Sequence, residues 1–84
     1  MPKVWTEGGF TFVIFLNDHE PAHVHVFLGR ARNVGSTLRI LLQSPQVIPD
    51  RIPSSWTERE IRRALVIAKD HYDTFLEAWS RHNR

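Results

Sequence analysis

Histidines and carboxylates are concentrated between residues 18 and 25, where the chain reads Asp-His-Glu-Pro-Ala-His-Val-His. This segment holds His19, His23 and His25, three of the five histidines in the sequence. An imidazole titrates near neutral pH, transfers protons in catalysis, and ligates metal ions in its neutral form. The segment is therefore the first place in this chain to look for a chemical site.

The last part of the segment has the alternation of a β-strand. His23 and His25 alternate with Val24 and Val26, and side chains two residues apart on a strand point to the same face of the sheet. The two imidazoles are therefore predicted to stand side by side. The hypotheses below require that solvent and a reactant reach them.

A nuclease that uses no metal is the first interpretation. One imidazole of His23 and His25 would remove a proton from a ribose 2′-OH and the other would protonate the leaving oxygen, with His19 and Glu20 supporting them. Guanidinium groups would stabilise the phosphate charge. The candidates for this role are Arg30, Arg32 and Arg39.

Two other interpretations of the same residues stay open. In a metal-dependent enzyme, His23 and His25 would ligate a divalent ion such as zinc together with His19 or Glu20, and a free coordination position would accept water or substrate. In a non-catalytic binding module, the imidazoles would only pack and form hydrogen bonds, and Asp18 and Glu20 would organise a turn.

The elements that must position these residues are strands followed by a helix. Alternating apolar residues predict strands over 3–6, 10–16, 23–28 and 37–42, with 10–16 in the middle of the sheet. Prolines at 45, 49 and 53 favour a structured connection over 43–55, in which Val47, Ile48 and Ile52 contact the core. The prediction is an α+β fold, with a three- to four-stranded antiparallel meander packed against a long C-terminal helix.

The helix has a well-marked start. Thr57 and Glu60 have the spacing of a capping box, and Trp56 and Ile61 that of a hydrophobic staple. Apolar residues then recur every three or four positions without an intervening glycine or proline as far as Trp79. The pattern predicts one helix over about residues 57–81, with a kink near residues 69–71 as the alternative.

A single helix of this length would measure roughly 37 Å, whereas a compact domain of this size is about 30 Å across. Its projecting end would expose Leu76 and Trp79, which predicts an interface with another chain in a homo- or hetero-oligomer. Arginines in the first turns oppose the helix dipole, so an anionic partner, either RNA or an acidic protein surface, would rationalise them. These arginines are Arg59, Arg62 and Arg63.

The 84 residues are expected to form one domain, residues 1–84. The absence of cysteine excludes thiol catalysis and Cys-ligated metals, and no apolar run is long enough to span a bilayer. A formal net charge of +2 permits a nucleic-acid partner without requiring one. With no signal peptide visible, the expected location is the cytoplasm.

Several motifs together carry a family resemblance. Gly8-Gly9-Phe10-x-Phe12, the segment His19-Glu20-Pro21-Ala22-His23-Val24-His25-Val26, and the helix residues 60–63 and 76–79 resemble the small bacterial proteins of domain-of-unknown-function family 4160. The resemblance spans nearly the whole chain. Ala22 stands where the family usually has a second proline, and residues 30–53 depart from its usual pattern.

The resemblance implies a partner protein. Members are often encoded beside another small protein in arrangements that look like toxin-antitoxin modules, and this chain would look like the toxin. The expected function is therefore that of a toxin, held by a cognate antitoxin, that acts on RNA or translation. If the chain is such a toxin and cleaves RNA without a metal, no cofactor is expected. The family signature can be carried onto His19, Glu20, Pro21, His23 and His25 without assigning their roles.

Overall fold

The computed structural model describes residues 3–15, 20–29, 37–43 and 46–83, and these form an α+β fold. Five strands make one antiparallel sheet in which each strand pairs with the next along the chain. Two helices follow it. The elements are β1 (Lys3–Glu7), β2 (Phe10–Val13), β3 (His23–Leu28), β4 (Leu38–Gln43), β5 (Gln46–Arg51), α1 (Glu58–Asp70) and α2 (Tyr72–His82).

The helices cover one face of the sheet, where alternate residues of the inner strands are buried. The buried residues on this face are Ile14, just after β2, and the strand residues Phe10, Phe12, Val24, Val26, Leu38, Ile40 and Leu42. The register confirms the alternation, since Phe12 lies opposite Val26, and Val24 lies opposite Ile40. Aromatic rings join the sheet to the helical region, with Phe12 and Phe75 stacked at 5.1 Å between ring centroids.

The middle strand is β3, with β2 beside it, so the placement of residues 10–16 at the centre of the sheet was wrong by one strand. The described part of β2 is also shorter than predicted and ends at Val13. The strand that carries both histidines therefore pairs on both sides. This double pairing fixes the positions of its side chains in the sheet.

A fifth strand lies within the stretch predicted to be a connection. β5 accommodates Pro49 because it is an edge strand, where a missing N–H donor costs no ladder hydrogen bond on the open side. Val47 packs against the core as expected. Ile52 is 51% exposed, so its predicted contact with the core was wrong.

The C-terminal helical stretch is divided into two. Thr57 and Glu60 form the predicted capping box at the start of α1, which presents Ala64, Ile67 and Ala68 to the core. The two helices meet at His71, whose φ and ψ of −113° and 26° are not helical. The alternative of a kink near residues 69–71 is therefore the correct one.

Because the helix is divided, its second half packs onto the domain. The longest dimension of the molecule is 33 Å, and Trp79 is only 5% exposed. The premise of a projecting helix end was wrong, since Trp79 belongs to the core and Leu76 is partly buried against it. Among the residues described, none of the helices is both long and apolar enough to cross a membrane.

Candidate functional site

His23 and His25 stand side by side at the start of β3, and we call them the histidine pair. Their ring centroids are 5.0 Å apart, with an edge-on angle of 75° between the planes. Both side chains point to the face of the sheet opposite Val24 and Val26, as strand alternation requires. The pair expected from the sequence is therefore present as a geometric unit.

The ring of His23 is almost completely shielded, with 2% of the residue exposed, so the expectation that solvent and a reactant reach both rings was wrong for His23. Its Nδ1 lies 2.7 Å from the carbonyl oxygen of Pro21. A carbonyl oxygen can only accept, so Nδ1 must carry the hydrogen, and in the neutral ring Nε2 carries none. This contact fixes both the tautomer and the orientation of the buried imidazole.

The ring of His25 is only partly buried, so it is the member of the pair that a reactant can reach. Its Nδ1 is 3.3 Å from Oγ1 of Thr37, a hydroxyl that can either donate or accept. The ring of Phe15 approaches it edge-on, with 4.7 Å between centroids. His25 is thus held by neighbours on two sides while part of its surface faces solvent.

Arg39 lies directly opposite His25 in the β3–β4 ladder, so both side chains project from the same face of the sheet. Its Nε donates to Oδ2 of Asp50 at 2.6 Å, and a terminal nitrogen contacts the same oxygen. The Arg39 side chain keeps 28% of its surface exposed. A guanidinium has five N–H donors, so the pairing with Asp50 leaves donors for an anion near His25.

The end of α2 contacts His23, the buried member of the histidine pair. The indole of Trp79 lies 4.9 Å from the ring of His23, centroid to centroid. The side-chain amide of Asn83 donates to the carbonyl oxygens of Phe15 and Trp79, at 3.2 and 3.3 Å. These contacts connect the last helical turn to the end of β2, where Phe15 meets His25.

The other predicted site residues are distributed differently. His19, which is also a ligand in the alternative metal set, lies outside the described residues, and so do Arg30 and Arg32. Glu20 is exposed next to Pro21, with a cis peptide bond between them. Within residues 3–15, 20–29, 37–43 and 46–83, no three His, Cys, Asp or Glu side chains form a group that could hold a metal ion.

Four residues at the site were not predicted to be there. Phe15, Thr37 and Asn83 come from three different parts of the chain, and Trp79 had been predicted to lie at an interface. Contacts of this kind depend on strand register and on the helix break, neither of which local spacing specifies. The position of Trp79 on the apolar stripe of the predicted helix could have indicated that its side chain packs on the core.

The arrangement can support proton transfer by an imidazole next to a cationic group. A shielded, oriented His23 stands behind the accessible His25, and Arg39 stands beside it on the neighbouring strand. The same two rings could contribute two nitrogen ligands to a metal ion, which is fewer than the three protein ligands usual for catalytic zinc.

Comparison with known proteins gives one match. The family model described as Domain of unknown function (DUF4160) matches residues 9–80, which include the histidine pair, Arg39 and most of both helices. Neither the curated proteins nor the solved structures provide a significant match.

Proposed function

The chain belongs to the DUF4160 family, and we propose that it is the toxin of a toxin-antitoxin-like pair, acting as a histidine-dependent ribonuclease. The observation that carries this proposal is the partly exposed imidazole of His25, held beside the oriented ring of His23 and directly opposite Arg39. An imidazole and a guanidinium on one face are the groups that cleavage of a phosphodiester by its own 2′-OH requires.

In the proposed reaction, His25 takes the proton of a ribose 2′-OH, and the resulting oxyanion attacks the adjacent phosphorus. The P–O5′ bond breaks, and the products are a 2′,3′-cyclic phosphate and a 5′-hydroxyl. Arg39 stabilises the additional negative charge on the phosphoryl oxygens. Because His23 is shielded, it acts as a positioning residue, and the 5′-oxygen takes its proton from the imidazolium of His19 or from water, with Glu20 in a supporting role.

RNA cleavage tests the proposal directly. The purified chain is incubated with a short end-labelled single-stranded RNA and with DNA of the same sequence, which lacks the 2′-OH. We expect cleavage of the RNA only, with cyclic-phosphate ends and no loss of activity in EDTA. The His25→Asn variant should lose about a hundredfold or more in rate, the usual contribution of a general base.

Matched variants separate chemistry from folding. Thr11→Ala changes a partly exposed residue on β2 that projects from the same face as His25, and should cleave like the wild type. Arg39→Gln should lose activity, whereas Arg81→Gln, which breaks the Arg81–Glu77 pair on α2, should keep it. RNA cleavage that persists undiminished in His25→Asn would overturn the assignment.

A growth assay tests the toxin role separately. Induction of the chain alone in bacteria is expected to slow growth, and induction of His25→Asn at the same protein level is not. If both proteins are equally harmless or equally toxic, the proposed active site is wrong.

The packing of His23 against Trp79 specifically favours a second candidate, a non-catalytic module that regulates through protein binding. In that case the histidine pair holds the end of α2 to the sheet, and removal of His25 lowers stability without affecting any reaction. A folded wild-type chain that cleaves no RNA and does not slow growth would favour this second candidate.

A further inference from the structure

An open groove of about 320 Å³ lies between the β1–β2 turn and α1. It is remote from the histidine pair, because Gly9 in this turn bonds to Gly29 just beyond the end of β3, whereas His23 begins that strand. We call it the α1 groove. It is lined by Glu7, Gly8, Arg62, Arg63, Val66 and Ile67.

Two large apolar side chains in this region are exposed. Val66 in the α1 groove is 59% exposed and Trp5 on β1 is 36% exposed. The indole of Trp5 is already held in place, because it stacks on His71 at 4.1 Å and donates from Nε1 to Oε1 of Glu7 at 2.8 Å. Exposed Trp and Arg side chains are enriched at protein interfaces, and this region contains both types.

Two arginines on α1 have no carboxylate partner among the described residues, because the acidic residues of the same helix turn are engaged elsewhere. Glu58 accepts from Arg62 at 2.7 Å, and Glu60 accepts the backbone N–H of Thr57 in the capping box. Arg59 and Arg63, by contrast, have no ion pair within the part of the chain that the structure describes. Their charges also oppose the dipole of α1, so they do not stabilise the helix that carries them.

We infer that the α1 groove binds an acidic segment of the partner protein, with a large apolar side chain of that segment over Val66 and its carboxylates on Arg59 and Arg63. The inference rests on the proposed function, since it identifies the surface that the antitoxin contacts. Charge complementarity selects the partner, and the apolar centre provides the contact area.

A second copy of this chain fits the groove poorly. In a twofold contact of antiparallel α1 helices centred on Val66, Arg63 of each copy would face Lys69 of the other, and like charges across an interface are unfavourable. RNA also fits less well, because the exposed apolar side chain of Val66 gains nothing from a phosphate backbone.

Binding of defined probes tests the inference. The intact chain is titrated into three labelled probes: a synthetic peptide of glutamate and leucine, the same peptide with lysine in place of glutamate, and a single-stranded RNA. We expect the glutamate peptide to bind more tightly than the lysine peptide, and the variants of the groove to leave RNA binding unchanged. Binding of the glutamate peptide should weaken by about tenfold or more for Arg63→Glu and for Val66→Asp, because each change puts negative charge at the contact.

Control variants make the result specific to the groove. Arg81→Glu on α2 and Ile52→Asp, at a residue that is 51% exposed, make the same kinds of change elsewhere and should bind the peptide like the wild type. In NMR spectra, the Trp5 indole N–H and the Gly8 amide should shift on addition of the peptide. Equal binding of the two peptides, RNA binding that Val66→Asp weakens as much as it weakens peptide binding, or no effect of Val66→Asp on the peptide would each overturn the inference, as would a homodimer that Val66→Asp dissociates.

The outcome is independent of the ribonuclease assay. His25→Asn should bind the peptide like the wild type, and Val66→Asp should cleave RNA like the wild type. A wild-type chain that cleaves RNA but does not bind the glutamate peptide therefore counts against the groove, and one that binds the peptide but does not cleave RNA counts against the active site.

Discussion

The indole of Trp79 near the end of α2 packs against the imidazole of His23 at the start of β3, with 4.9 Å between ring centroids and 50° between the planes. Trp79 is 5% exposed and His23 is 2% exposed, so each ring shields the other from water. Because His23 also contacts His25, the position of the last helix is linked to that of the accessible histidine.

Trp79→Ala is expected to lower the free energy of unfolding by about 3 to 5 kcal/mol, the usual cost of removing a buried tryptophan. The loss would be large for a small domain, and the near-UV circular dichroism should change with it. Ser80→Ala changes the exposed neighbouring residue and should stay within about 0.5 kcal/mol of the wild type in urea unfolding. A Trp79→Ala variant as stable as Ser80→Ala would contradict the packing described.

The two histidines should differ in their contributions to stability. His23→Ala removes a buried ring and leaves the carbonyl oxygen of Pro21 without its 2.7 Å donor, which is expected to cost about 1 to 3 kcal/mol. His25→Ala removes a partly exposed ring with a longer 3.3 Å contact and should cost less. Urea unfolding of both variants measures the difference. A larger loss of stability for His25→Ala than for His23→Ala would contradict the greater burial of His23.

The fold was predictable from the sequence where one short-range pattern determines it. The capping box at Thr57 is read from residues three positions apart, and alternation places Val24 and Val26 on the buried face. The helix break at His71 was harder to predict because no glycine or proline marks it. β5 was missed because Pro49 argues against an inner strand, although an edge strand tolerates it.

The site was predictable only as far as one strand extends. The adjacency of His23 and His25 follows from their spacing, but the burial of His23 depends on Trp79, which lies in a helix near the other end of the chain. The position of Arg39 opposite His25 depends on strand register, which residues distant in sequence determine. Local pattern thus identified the two imidazoles as a pair, and the tertiary contacts decide which of them is exposed to solvent.

Thr57→Ala is expected to destabilise the chain by about 0.5 to 2 kcal/mol, because the Glu60 backbone N–H loses its acceptor at the start of α1. Thr74→Ala is the matched control, since Thr74 is exposed within α2 and alanine is the better helix former there. Thermal unfolding followed at 222 nm compares the two variants. Equal melting temperatures would mean that the capping box contributes nothing to stability.

Gly8 is expected to tolerate asparagine better than alanine. Its φ of 60° lies in the left-handed region, where an L side chain costs about 1 to 2 kcal/mol and asparagine is the least unfavourable. A Cβ at this position would also lie 3.2 Å from a terminal nitrogen of Arg63, whose flexible side chain must move aside. At Gly9 the φ is 86°, and an added Cβ would meet no atom within 4 Å. Gly9→Ala therefore measures the backbone cost alone. Urea unfolding should rank Gly8→Ala at or below both Gly9→Ala and Gly8→Asn in stability.

Asp50→Asn should have little effect on stability and a larger effect on anion binding. The Arg39 and Asp50 side chains are 28% and 32% exposed, and an ion pair this open to water contributes at most about 1 kcal/mol. Without the carboxylate, the charge of Arg39 next to His25 is no longer neutralised. Single-stranded RNA should therefore bind about fivefold more tightly at low salt, equivalent to roughly 1 kcal/mol of Coulomb energy, and the gain should shrink as salt is added.

Fluorescence anisotropy with labelled RNA measures this change. Asp73→Asn, at an exposed residue of α2, makes the same change in charge away from Arg39 and should give a smaller gain. Equal gains from the two variants would remove Arg39 from the phosphate-binding surface.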